Sequence, residues 1–361
     1  MKGEVIYLYA FDVANEIVTA RVQEILSAKP FPFEIRMDRT LPKDMPLYKP
    51  IAIEPTPLAL PMRGQPVRLL VRVYDVGVVT VAMRAAFDGK GLADLMPFHE
   101  TDLGEGVTRD DIARDICAQV CKSLQEFMVL PAPQPFAPEA YTVFCLTEID
   151  GTRDANLWLA ENRRSVAGLL SETRPELLSE AQVNEVLRIQ RSFENTDLAV
   201  IDWDAALVVD LTGYVDDVLY AIELANLQLE EFRAMDRMLD QYLDRAYDDL
   251  SRHSKFPLFG VGTVVLRELR QFRVDVAKLA DEVTHITKFF GDWHLARVYL
   301  GARDRFYLEH WRASVEQRLV QLDQLYNVVH SEITNRRMVW LEAIIVIFFA
   351  IDLIGIFVLR K

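Results

Sequence analysis

The strongest pattern in the sequence is a heptad spacing of apolar residues in its C-terminal half. Apolar positions recur in alternating steps of three and four in three runs, at residues 218–250, 269–293 and 315–333. Such spacing over several heptads is typical of coiled-coil packing. Asp236 interrupts the first run, and we interpret it as a polar seam position that fixes the register or pairs with an arginine. The pattern predicts an antiparallel coiled-coil helical region at residues 211–337.

A turn between the first two runs should contain Pro257 and Gly260, since both residues end helices. This turn carries Phe256, Leu258 and Phe259, although turns usually carry polar residues. One hypothesis is a membrane-facing turn. The other is that these side chains pack on the helices or on a neighbouring subunit. The choice depends on whether Gly301 reverses the chain or only kinks a helix, because a single glycine is a weak helix breaker.

The C-terminal segment at residues 338–359 is almost wholly apolar, and a membrane-spanning helix needs about 20 such residues. It predicts one C-terminal transmembrane helix, a tail anchor. Glu342 and Asp352 lie within it, about 80° apart on a helix. Either this acidic face meets another helix, or Glu342 reaches the interface and Asp352 is protonated. The pattern predicts a membrane protein with a single pass.

The N-terminal half has the alternation of a mixed α/β fold, with one subdomain at residues 1–130 and a continuation with helices at 131–210. Thr108, followed by Asp111, predicts a helix N-cap. The first apolar run, at residues 5–11, is too short for a signal peptide and reads as a strand. The bulk of the chain is therefore expected on the cytoplasmic side, at the inner membrane if the protein is bacterial. The predicted strands are residues 5–11, 33–37, 67–74, 78–87, 141–149, 198–201 and 206–209. The predicted helices are residues 13–26, 108–127 and 154–190.

Composition narrows the functional classes. The chain of 361 residues is 51% hydrophobic, which is typical of a globular protein and not of disorder. Its 40 Lys and Arg residues are outnumbered by 54 Asp and Glu residues, giving a net charge of −14. General nucleic-acid binding is disfavoured, because phosphate contacts need a basic surface.

Few residues suggest chemistry. Cys117 and Cys121 lie four apart on a predicted helix and could form a metal or redox pair, but no further Cys or His is near them in sequence, which favours two small buried residues. Asp202, Asp204 and Asp210 could bind a cation, or could lie in a solvated turn. The six histidines show no metal spacing, and no nucleophile with a base is evident. We therefore predict no cofactor.

Four stretches carry a family resemblance: VYDVGVV at 73–79, LAVIDWDAALVVD at 198–210, FGDWHLARVY at 290–299, and WLE at 340–342. With them the sequence resembles the "required for meiotic nuclear division" family, which includes the Sad1-interacting factor proteins. It departs from that family at residues 80–83, where a tryptophan-containing run is expected. The resemblance implies a membrane-associated protein without assigned chemistry; a mitochondrial relative is linked to organellar translation.

The sequence favours a membrane-anchored scaffold or tether, oligomeric through its helices, whose α/β head binds an unknown protein partner. One alternative is a metal- or nucleotide-dependent enzyme in the α/β head. Another is a transport component that uses Glu342 and Asp352 and requires oligomerisation.

Overall fold

The computed structural model describes residues 1–19, 31–32, 50–53, 61–62, 65–101, 103, 106–132, 138–212, 215–253, 273–274, 276–277 and 293–359. The chain divides into two compact units. The first contains residues 1–232 and 282–311, and the second contains residues 233–281 and 312–361.

Twelve strands are described, all in the first unit. They are β1 (Lys2–Asp12), β2 (Ala14–Ile17), β3 (Phe31–Pro32), β4 (Ile51–Ile53), β5 (Pro61–Met62), β6 (Gln65–Val73), β7 (Val78–Asp88), β8 (Met128–Pro131), β9 (Glu139–Glu148), β10 (Gln190–Arg191), β11 (Asp197–Ile201) and β12 (Ala205–Asp210).

Six α-helices are described. They are α1 (Arg109–Leu124), α2 (Ala155–Leu170), α3 (Glu180–Val186), α4 (Val215–His253), α5 (Trp293–Arg305) and α6 (Leu308–Leu359). Thr108 caps α1 as predicted: its hydroxyl accepts from the Asp111 amide, and the Asp111 carboxylate accepts from the Thr108 amide at 3.1 Å. Part of the predicted helix at 13–26 is wrong, because Ala14–Ile17 forms β2 and pairs with β8.

A large mixed sheet organises the first unit. Its 10 strands run in the order β10-β11-β12-β9-β1-β7-β6-β4-β3, with β5 beside β6. Among the described pairs only β9 and β12 are parallel. Strand side chains alternate between faces, so Tyr7 and Met83 share a first face with the core that packs on α1 and α2, whereas Arg72 and Thr80 point to the second face.

The first part of helix α4, at residues 215–232, lies on the second face of the sheet and is held there by ion pairs. Glu223, which is 1% exposed, accepts hydrogen bonds from Arg72, from the Tyr74 hydroxyl at 3.1 Å and from the Thr80 hydroxyl at 2.5 Å. Near the start of the helix, Arg84 donates to Asp216 at 2.7 Å. Burial and the nearby Glu223 carboxylate raise the pKa of Tyr74, so its hydroxyl stays protonated and acts as a donor.

The predicted coiled coil is wrong in the described part of the chain, where no long coiled coil is evident. The heptad residues Val218, Ile222 and Ala225 are buried, but so are the neighbouring polar residues Glu223 and Asn226. A helix buried on this many sides packs in a domain core, whereas a coiled-coil helix buries only a narrow seam. Most of the second heptad run and the turn with Phe256, Leu258 and Phe259 fall outside the described residues.

The predicted membrane anchor is also corrected. Among the helices in the described ranges, none combines the length and the apolarity needed to cross a bilayer. The apolar segment at 338–359 is instead the end of α6, a helix of 52 residues whose first half is charged and whose apolar end is interrupted by Glu342 and Asp352. The single-pass topology and the membrane localisation derived from it are overturned with the anchor.

Gly301 does not reverse the chain. It lies inside α5, where this helix packs on the β10 edge of the sheet, and it is buried. A Cβ atom at this position would lie 2.9 Å from Cγ2 of Ile189 and 3.5 Å from Nε of Arg191. The glycine therefore allows close approach of the helix to the sheet edge.

Glu223→Gln should destabilise the protein by about 3–5 kcal/mol, because it removes the charge that compensates the buried Arg72 guanidinium. Denaturant unfolding gives this value. The matched control is Asp216→Asn on the same helix: its carboxylate is exposed, so its pair with Arg84 should contribute only about 0–1 kcal/mol. Equal small losses in both variants would contradict a dominant role for Glu223.

Gly301→Ala should destabilise the protein, although alanine is normally better than glycine in a helix by roughly 0.5–1 kcal/mol. The added methyl group must displace Ile189, and such overpacking costs about 1–3 kcal/mol. Thermal and denaturant unfolding of the single variants Gly301→Ala and Ile189→Ala and of the double variant would test this. The double variant should lose less stability than the sum of the single losses, and strict additivity would argue against the contact.

Candidate protein-interaction site

The hairpin turn between β11 and β12 presents a tryptophan at the surface. The Asp202 amide donates to the Ala205 carbonyl at 2.9 Å and closes the turn. The Tyr141 hydroxyl supports it from the second face, donating to the Asp202 carbonyl at 2.8 Å. The Trp203 side chain is left 49% exposed at the tip. A hydrogen-bonded turn therefore presents a large apolar ring that is half exposed.

Arg305, the last residue of α5, stabilises this turn through its buried guanidinium. It is 2% exposed; its guanidinium donates to the Asp202 carboxylate and, at 2.7 Å, to Glu185. Burial opposes the charge on Arg305, but these two carboxylates raise its pKa. The same hydrogen bond lowers the pKa of Glu185. Burial raises the pKa of Asp202, and Arg305 opposes that rise. Since the arginine stays protonated, the turn is tied to α5 by a charged pair.

Tyr307 completes the site. Its ring stacks on Trp203, with centroids 4.9 Å apart and planes at 21°. It stands between α5 and α6 with a φ of 53°, a left-handed conformation that is uncommon for a residue other than glycine. The amides of His310 and Trp311 donate to its carbonyl and hold this conformation. The preceding Phe306 is buried against Tyr141. Left-handed backbone thus turns Tyr307 outward, leaving it 44% exposed.

A second group of aromatic residues lies at the other end of α5. Trp293 and Phe193 are both exposed, and the Phe193 ring lies 5.7 Å from the His294 ring. His294 is 3.4 Å from the Asp197 carboxylate at the start of β11. Helix α5 therefore has exposed aromatic side chains at both ends, each set attached to the β10–β11 edge by polar contacts.

The structure separates the three aspartates considered as a cation site. Asp202 is paired with Arg305, whereas Asp210, at the far end of β12, accepts from the Thr212 amide and hydroxyl at 2.8 and 2.7 Å. Asp204 precedes β12, and its carbonyl accepts from the Thr142 amide. Within the described ranges no group of three or more His, Cys, Asp or Glu residues is arranged to hold a metal ion.

The other singled-out residues lie elsewhere. In the second unit Asp236 is paired with Arg318, which also binds Asp240. Glu342 is exposed on α6; the side chain of Asp352 falls outside the described residues. Sequence reasoning did not single out any of the three residues of this site, Trp203, Arg305 and Tyr307. Nothing local distinguishes Arg305 from other arginines, and the left-handed break at Tyr307 occurs in a stretch without Pro or Gly, so the sequence carries no signal for it.

The comparisons with known proteins concern the sheet-containing part of the chain. Residues 2–216 match a family model described as "Uncharacterized protein MJ0711, N-terminal domain". The uncharacterised protein MJ0711 of Methanocaldococcus jannaschii is 24% identical over 216 residues, which are 60% of this chain and 65% of that protein. The match thus spans slightly less than two thirds of the relative. No solved structure matches. Since the family model covers more than half of the sequence, the chain belongs to the MJ0711 N-terminal domain family.

Proposed function

We propose that this chain is a non-enzymatic scaffold whose α/β domain binds a partner protein through the Trp203–Tyr307 pair. The observation that supports the proposal is the exposed stack of these rings, next to a turn that is stabilised by the buried Arg305. Residues that dominate protein interfaces are enriched in Trp, Tyr and Arg, and they act best when their conformation is fixed before binding. The stack meets both conditions. The left-handed conformation of Tyr307 costs roughly 1–3 kcal/mol, and such strained residues cluster at functional sites.

The proposal does not depend on the resemblance to the "required for meiotic nuclear division" family, which stays a prediction. The enzyme alternative also stays a prediction, because no observation on the described residues supports it.

Photo-crosslinking would test the proposal. A photoreactive phenylalanine at position 203 should capture a specific protein in cells of the source organism. The same amino acid at Leu177, which is 75% exposed on another element, is the matched control. With the captured protein purified, Trp203→Ala should weaken binding by about 2 kcal/mol or more, roughly 30-fold, as measured by calorimetry.

Tyr307→Gly distinguishes the contribution of the Tyr307 ring from that of its backbone conformation. Glycine accepts the left-handed conformation without strain, so this variant should keep its stability and still bind more weakly. Unchanged affinity in both Trp203→Ala and Tyr307→Gly, or equal capture from position 177, would overturn the assignment of this site.

A second, separate observation favours self-association through the helices. Residues 338–351 of α6 are all exposed, including eleven large apolar side chains. Contiguous exposed apolar surface beyond a few hundred Å² marks an interaction site. We infer that copies of the chain cover this segment for one another, as expected for an oligomeric scaffold. The exposed apolar side chains are Met338, Val339, Trp340, Leu341, Ile344, Ile345, Val346, Ile347, Phe348, Phe349 and Ile351.

Sedimentation of the full chain should show a multimer. Replacing Val346 and Phe349, which lie on one helical face, with Gln should shift it towards the monomer, because each buried large apolar side chain contributes about 1.5–3 kcal/mol. Leu177→Gln, an equally exposed apolar position in the other unit, should leave the mass unchanged. A full chain that sediments as a monomer at every concentration would refute self-association.

A further inference from the structure

Two thiols face each other on α1, outside the site described above. The sulfur atoms of Cys117 and Cys121 are 3.8 Å apart, on successive turns of the helix. Cys117 is 1% exposed and belongs to the core on the first face of the sheet, whereas Cys121 is only partly buried. The pair thus joins a fully buried cysteine to one that is partly exposed.

From this arrangement we propose that Cys117 and Cys121 form a reversible dithiol–disulfide site that is oxidised by hydroperoxides. Cys121 is the attacking residue, because it is the accessible one. Cys117 is the resolving residue, because its sulfur already lies beside that of Cys121. Their mutual hydrogen bond supports Cys121 as the first to react, because it lowers the pKa of Cys121 and, together with burial, raises that of Cys117. A thiolate is the nucleophilic form of cysteine.

The chemistry balances with the peroxide as the only oxidant. The Cys121 thiolate attacks the O–O bond, forms a sulfenic acid and releases the alcohol, or water from hydrogen peroxide, once the leaving oxygen takes a proton. The Cys117 sulfur then attacks the Cys121 sulfur. The S–O bond breaks, the S–S bond forms, and the departing hydroxide takes the Cys117 proton to leave as water. Two thiols and one hydroperoxide therefore give one disulfide, one alcohol and one water.

The resulting disulfide would be strained and easily reduced. Cβ atoms four residues apart on a helix are about 5–6 Å apart, but a disulfide needs roughly 3.5–4.5 Å. The helix must therefore distort around Cys121. This distortion would lie near the end of α1, which stops at Leu124 and continues as a 3₁₀ turn at Gln125–Phe127. Strain raises the reduction potential, which is typical of labile disulfides and not of structural ones.

This distortion should also loosen the connection that follows α1. The Phe127 carbonyl accepts a hydrogen bond from the Val18 amide at 3.0 Å, next to the pairing of β2 with β8. Oxidation should therefore speed hydrogen exchange at Val18 while leaving the central strands unchanged.

The test uses the full chain, a small excess of hydrogen peroxide and peptide mass spectrometry after alkylation. The expected product is a disulfide between Cys117 and Cys121 that dithiothreitol reverses. Cys145 is the internal control. It is buried on the second face of the sheet, away from α1, and should react at least about tenfold more slowly.

Two variants make the roles distinguishable, and circular dichroism checks that each is folded. In Cys117→Ala the sulfenic acid at Cys121 should accumulate and be trapped by dimedone. In Cys121→Ser, Cys117 should remain a thiol. The proposal is overturned if the wild-type chain keeps three alkylatable thiols, if Cys145 is consumed as fast as Cys121, or if Cys117→Ala yields no sulfenic acid.

Discussion

The ion pair between Arg72 and Glu223 is the constraint on which the second face of the sheet depends. An arginine cannot lose its proton in a protein, so a buried one must be given a carboxylate. Glu223 supplies it, and the Tyr74 and Thr80 hydroxyls use its remaining acceptor capacity. These bonds leave α4 one register on the sheet. A helix held only by apolar contacts could slide or rotate at a smaller cost.

The register of α4 on the sheet also determines where helix α5 packs. Gln228, which is fully buried, lies further along α4 and accepts from the Tyr299 hydroxyl at 2.6 Å. Tyr299 belongs to α5, whose end carries Arg305. The polar contacts therefore run from the sheet centre through α4 to α5 and the turn at Asp202. Burying two arginines at the two ends of this series costs desolvation, and each is stabilised by carboxylates from elements distant in sequence. The exposed Trp203–Tyr307 pair is fixed in position as the last link.

The sequence alone predicted the strands whose conformation is set by their own local residue pattern. The predicted strands at 5–11, 78–87, 141–149 and 206–209 lie within or largely overlap β1, β7, β9 and β12, because alternating β-branched and aromatic residues form strands wherever they pair. The cap at Thr108 was predictable for the same reason, being decided within four residues. The sheet order and the partners of Arg305 were not predictable, since Asp202 and Arg305 are separated by 103 positions.

The coiled-coil error shows where hydrophobic periodicity stops being informative. Residues 218, 222, 225, 229 and 232 recur at heptad spacing, but so would the apolar face of any amphipathic helix packed on a sheet. The distinguishing feature is the burial of Glu223, Asn226 and Gln228, which are polar residues outside the apolar heptad positions. Their polarity suggests exposure when the helix is read alone. Arg72 and Tyr299 reverse that inference, and they belong to a strand and a helix far away in the chain. A buried polar residue is thus predictable only together with its partner, so the interactions that fix this fold are those that the local pattern conceals.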